Sequence, residues 1–222
     1  MMLKLRTVWV LGLWLVASAL AAGQSPAQAN TAHQVVRDTT SRVMSVVTEA
    51  DGYFDKDPDR YYQQIQAILD PVVDYRGFAR GVMGPYATSE RYRSLDKAGR
   101  AQLKDQLDRF TEVIRTGLVH TYGKGLLAFG GSRIEISDPA EEQNDGAPVS
   151  VRQLVFSDAV EPYVVMYQMG QDRSGEWKLR NVIIESVNLG EIYRSQFEAS
   201  AREYDGNLDR VIDNWTTTEV DT

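Results

Sequence analysis

The chain has 222 residues, with 24 Lys and Arg against 31 Asp and Glu and not one cysteine. The missing cysteine excludes disulfides, thiolate catalysis, cysteine metal sites and lipoprotein acylation together. The acidic balance argues against nucleic acid, whose binders gain their affinity from basic patches, and against permanent residence on an anionic membrane.

Residues 1–29 read as a secretory signal peptide. Lys4 and Arg6 form its basic start, and Val8 to Leu20 is uncharged and apolar. Ala27-Gln28-Ala29 offers a cleavage site, with Ala19-Leu20-Ala21 in competition. The apolar run is short of the roughly 20 residues of a membrane span. Cleavage after residue 29 leaves 22 of the 24 basic residues and all 31 acidic ones, a net charge of −9. Residues 30–217 are expected to form one domain, with 218–222 a disordered tail.

The first half of that domain is expected to be helical. Thr31 to Tyr53 carries a stripe of Val35, Val36, Val43, Met44, Val46 and Val47. Asp57-Pro58 starts a second helix, with Ile65, Ile68, Leu69 and Val72 on one face. Asp74 caps a short third helix holding Phe78, Val82 and Met83, which Gly84-Pro85 ends. A long helix from about Asp96 to Tyr122 spaces Leu103, Leu107, Phe110, Ile114 and Leu118 by three and four. Gly123, Gly125, Gly130 and Gly131 are expected to turn the chain from that helix into a sheet.

The second half reads as four strands. Ile134 and Ile136 share a face; Pro139 to Pro148 is a polar loop; Val149, Val151 and Val155 alternate with polar residues. Pro162 to Met169 is apolar on both faces, as in a central strand. After the turn Asp172-Arg173-Ser174-Gly175, the final strand places Trp177, Leu179 and Ile183 on one face, with Val182 and Ile184 on the other. Val187 and Leu189 lead into a helix with Ile192, Tyr193 and Phe197, and a further helical piece follows a break near Gly206. Helices first and hairpin-spaced strands later give an α+β fold with a four-stranded antiparallel sheet.

Three segments in this order, VVDYRGFARGVMG (72–84), LVHTYGKGL with Tyr122, and WKLRNVIIESVNLGEIYRSQF (177–197), resemble the MlaC family, the periplasmic phospholipid-binding component of a lipid transport system also known from toluene tolerance. The resemblance covers about Val35 to Trp215. Small departures are Asn181, Ser186 and Asn188, where the family usually has aspartate, glycine and serine, and a long loop at Ala140 to Gly146. The resemblance implies a nuclear-transport-factor-like roll extended by a helical subdomain, with an apolar cavity for acyl chains between sheet and helices. It implies a periplasmic carrier that passes phospholipid between an outer-membrane lipoprotein complex and an inner-membrane ABC transporter, maintaining outer-membrane lipid asymmetry. It implies no enzyme and no cofactor.

On the residues themselves, the candidate cavity lining is Val82, Met83, Phe110, Ile114, Leu118, Tyr122, Val164, Met166, Val182, Ile184, Ile192 and Phe197. Each has a plain core reading beside it. Arg76, Arg80 and Arg194 are candidates to meet a phosphate head group, against a solvated helix face. Two histidines, His33 and His120, make a metal site unexpected, and the chain has no nucleophile elbow, no His-Glu-x-x-His and no phosphate-cradling glycine loop. Roll folds can host isomerases that keep a carboxylic acid in the cavity, but Asp74 reads as a helix cap and Glu185 as a strand-end charge paired with an arginine such as Arg194. A lipid carrier, a cavity enzyme on the same roll and a periplasmic interaction protein all remain open on the residues alone.

Overall fold

The computed structural model describes residues 31–138, 147–157 and 161–216. The expected signal peptide, most of the polar loop and the expected tail lie outside these residues. Side-chain caps start most of the helices. Thr31 and Gln34 form a reciprocal capping box on α1 (Ala32–Ala50). Asp57 caps α2 (Pro58–Leu69), whose first residue is the proline. Asp74 accepts from Gly77 N at 2.9 Å to start α3 (Tyr75–Met83), and Asp96 accepts from Gly99 N at 2.7 Å to start α5 (Lys97–Leu126). Between them α3 ends at Gly84, with φ +52, in a 3₁₀ turn, and α4 (Ser89–Ser94) follows. That short helix buries no residue, so it leaves no apolar periodicity to read.

α5 is longer than its periodicity indicates, because Gly123 and Gly125 lie inside it. Gly123 is there for packing: a Cβ would stand 3.1 Å from the Tyr62 ring. The turn into the sheet falls to Gly130 and Gly131, the latter at φ +79.

The sheet is antiparallel in simple order, β1 (Arg133–Ile136), β2 (Val149–Phe156), β3 (Tyr163–Gln171), β4 (Trp177–Ile184) and β5 (Val187–Asn188). It has five strands, not four: β5 folds back on β4 through Glu185, which has φ +55, and two residues are too few to alternate. A bulge corrects the face assignment along β4. Met169 pairs with Leu179 but Gln168 with Asn181, so Arg180 is the extra residue. The bulge flips the parity. Trp177 and Leu179 therefore share a face with Val182 and Ile184, and Ile183 stands alone on the other. At the bulge the connection from α2 to α3 docks on the strand, with Asp74 N donating to Leu179 O and Leu179 N to Val72 O.

One face of the sheet is covered by helices. α1 lays Ala32 and Val36 on Val151 and Met169 of that face. The main core joins Val82 and Met83 of α3, Phe110 and Ile114 of α5, and Tyr193 and Phe197 of α6 (Leu189–Glu203), with Val211 and Ile212 of α7 (Leu208–Asp213) closing it. A second cluster holds the other end of α1, where Val47 and Ala50 meet Tyr61, Ile65 and Val119.

Candidate functional site

α1 is pinned to the body at its two ends by two separate clusters. Its middle bridges a gap. There it presents Thr40 and Met44 across from Ile134 and Ile136 of β1, and a groove of about 570 Å³ runs between helix and strand. Behind that groove, the helix-side face of the sheet carries Val165, Tyr167, Val182 and Ile184, set in one row of register partners. All four keep accessible surface although helices cover that side. On α5, Leu118 and Tyr122 are likewise half-buried and abut the same core as Val182 and Ile184. These partly accessible apolar side chains on the inward face are the candidate walls of a trough, in contrast to Ile114 and Phe110, which are fully buried.

Tyr167 sits on this face and keeps part of its surface accessible. Burial pushes its hydroxyl pKa up to about 12, against an opposing hydrogen bond from Gln153. Gln153 is 5 % exposed, and its Oε1 accepts from Thr40 Oγ1 of α1 at 2.9 Å. Thr40, Gln153 and Tyr167 thus form a polar chain from α1 to the sheet, beside a groove whose α1 side also carries Arg37, Ser41, Ser45, Thr48 and Glu49. A second polar pair, the hydroxyls of Tyr122 and Tyr193 at 3.0 Å, joins α5 to α6. Burial, and after it the Tyr122 hydroxyl, raises the pKa of Tyr193.

The sequence-derived lining separates into three groups. Leu118, Tyr122, Val182 and Ile184 are partly buried, and each packs against the main core. Val82, Met83, Phe110, Ile114 and Phe197 are fully buried in the adjoining core, and Ile192 is half-buried beside the inner stripe of α6. Val164 and Met166 lie on the opposite sheet face, paired with Leu154 and Arg152 of β2; β3 is apolar on both sides, so its pattern does not say which side is inner. Sequence reasoning missed Val165, Tyr167, Met44 and Gln153. Gln153 had a signal, being the polar residue in the apolar register of Val149, Val151 and Val155.

The head-group candidates do not converge. Arg76 and Arg80 line a different groove, beside α3, and Arg194 pairs with Glu198 at 3.0 Å. Glu185 is not partnered by Arg194: its carboxylate accepts from Val164 N at 2.7 Å, which holds the turn between β4 and β5. His120 is exposed, with its ring 4.3 Å from that of Tyr62. Among the described residues no group of His, Asp or Glu has the geometry of a metal site, and no helix is long and apolar enough to cross a membrane.

Residues 37–217 match the family model described as MlaC protein. The toluene tolerance protein Ttg2D of Pseudomonas putida is 33 % identical over 188 residues, covering 84 % of this chain and 80 % of the relative. Among solved structures, the phospholipid-binding protein from Ralstonia solanacearum, in complex with a phospholipid, superimposes with a TM-score of 0.66 at 17 % identity, over 83 % of this chain and 98 % of that one.

Proposed function

The chain belongs to the MlaC family, and on that premise we propose that it is a periplasmic phospholipid carrier, moving lipid between an outer-membrane lipoprotein complex and an inner-membrane ABC transporter so as to maintain outer-membrane asymmetry. The observation that carries the reading is the trough: Val165, Tyr167, Val182 and Ile184 face inward under α1 and yet remain accessible. The phospholipid in the Ralstonia relative's structure supports the same choice of ligand. Acyl chains fill the space against Leu118, Tyr122, Val182 and Ile184. Tyr167 and Gln153 supply the polar contacts within it.

Magnitudes favour transfer over tight capture. Burying one methylene is worth about 0.8 kcal/mol, so two chains of ~16 carbons gain on the order of 25 kcal/mol on leaving water, beyond the ceiling of non-covalent affinity. The lipid leaves a bilayer, which is as apolar as the trough. The trough then has only to match the membrane within a few kcal/mol, and loading and unloading need no chemistry. An ester hydrolase would need a nucleophile held by an oriented base; Thr40, Gln153 and Tyr167 do not form such a pair, and no hydrogen bond among the described residues joins Glu49 to a serine of the groove.

Native mass spectrometry of gently purified protein is expected to find diacyl phospholipid bound. Leu118→Asp is expected to abolish co-purification by placing a charge in the trough. Val164→Asp, on the far face of the sheet, is expected to keep the lipid. Circular dichroism confirms that both variants fold. Loss of lipid from the Val164 variant alone would place the ligand on the wrong face for this reading. Incubation with phospholipid is expected to release no fatty acid; release proportional to protein would point to an enzyme.

A further inference from the structure

A groove of about 1040 Å³ lies between α3, α4, the first turns of α5 and the β3–β4 hairpin. It shares no lining residue with the groove under α1. Seven arginines and lysines line it against three aspartates, in a chain whose net charge is −7. Each aspartate is already engaged: Asp70 with Arg115 at 2.5 Å, Asp74 with Arg180, and Asp172 with Lys178 at 3.7 Å. Arg76 and Lys104 share Asp108 just outside. Arg80, Arg93 and Arg173 have no ion-pair partner among the described residues, and all three are exposed.

We propose that this groove is a second binding site, for an anion bearing phosphate groups. Three arginines without a carboxylate partner among the described residues line one concavity, in a chain that has 31 Asp and Glu. Their mutual repulsion is relieved by an anion that each can hold through paired N–H donors, the geometry that suits phosphate oxygens. Val73, Ala87, Leu103 and Leu107 form an apolar floor, and low-dielectric walls focus the field of the rim charges on the space between them. The Ser89 side chain adds a hydroxyl. The concavity favours a compact phosphate-bearing group over the flat plane of a bilayer. Such a group is either free in solution or borne on a lipid that projects its head group into the groove. The site does not depend on the carrier reading, since it lies apart from the trough.

Two arms distinguish the sources. Isothermal titration with inorganic pyrophosphate tests a free anion, and co-flotation with vesicles of phosphatidylcholine alone or with phosphatidylglycerol tests a lipid head group. Both are run on the mature chain and on the double variant Arg93→Gln/Arg173→Gln, at low salt and at physiological salt. The expected result is binding in at least one arm, weakened at least tenfold in the variant and by added salt, while the lipid that co-purifies with the variant is unchanged. The arm that responds names the source. Absence of binding in both arms, or binding equal in the variant and the parent, overturns the proposal. Loss of co-purified lipid from the variant would show that groove and trough are one site, and would overturn it equally.

Discussion

At the scale of single residues, Asn181 and Asn188 are coupled to each other. Asn181 accepts from Gly190 N at 3.0 Å and donates to Asn188 Oδ1 at 2.8 Å, and Asn188 in turn caps α6 by accepting from Glu191 N. An aspartate at 181 alone would face the Asn188 oxygen with no proton between them. Asn181→Asp is therefore expected to destabilise by roughly 1–2 kcal/mol, and adding Asn188→Ser to recover most of the loss, since the serine hydroxyl can donate. Thermal melts of the two singles and the double read this coupling; additive effects would refute it. Two of the glycines of α5, Gly123 and Gly125, make a second pair. Gly123→Ala meets the Tyr62 ring and is expected to cost about 1–3 kcal/mol. Gly125→Ala meets nothing within 4 Å and is expected to stabilise by up to about 1 kcal/mol. Opposite signs in urea melts are the check.

At the scale of elements, carboxylates tie other helices to α5. Asp70, at the end of α2, is held by Arg115, which lowers its pKa, with Gln66 helping. Asp209, in the first turn of α7, is held below the usual carboxylate range by Gln106, Arg109 and Gln102. A depressed folded pKa contributes stability above the unfolded value, about 3.9, and loses it as pH falls through the folded value. The melting temperature is thus expected to hold from pH 7 to 5 and to fall below about pH 4. Asp209→Asn is expected to cost roughly 1 kcal/mol at pH 7, a small figure because solvent screens a partly exposed pair, and to flatten part of the acid fall. An unchanged acid limb in this variant would assign the acid sensitivity elsewhere.

On the carrier reading, the trough is a packing deficit of the whole molecule, and the apolar residues of β3, β4 and α5 that face it gain fuller burial with a ligand in place. Delipidated protein is expected to melt below the lipid-bound form, because a ligand that binds only the folded state raises its stability by mass action. Differential scanning calorimetry before and after detergent stripping tests this; equal melting temperatures would mean that the trough is closed without lipid. Stripping is expected to leave the helix content unchanged, since the clusters at the two ends of α1 and the main core do not line the trough.

Composition, helix periodicity and capping residues were sufficient for the order of the longer elements, the α+β class and the caps at Asp57 and Asp74, because these depend on contacts within a few residues. The three segments shared with the family carried its identity. What alternation alone could not decide was which side of a doubly apolar strand faces in. That rested on the register of β2 on β3, on the bulge at Arg180 that reverses parity along β4, and on α1 packing over one face. The same holds for the charges: Arg76 and Arg80 read from the sequence as a lipid mouth, but only the placement of α3, α4 and the β3–β4 hairpin gathers them with Arg93 and Arg173 into a groove of their own. Local physics reads along the chain, whereas a site is made by pairs more than a hundred residues apart, as Thr40 and Gln153 are.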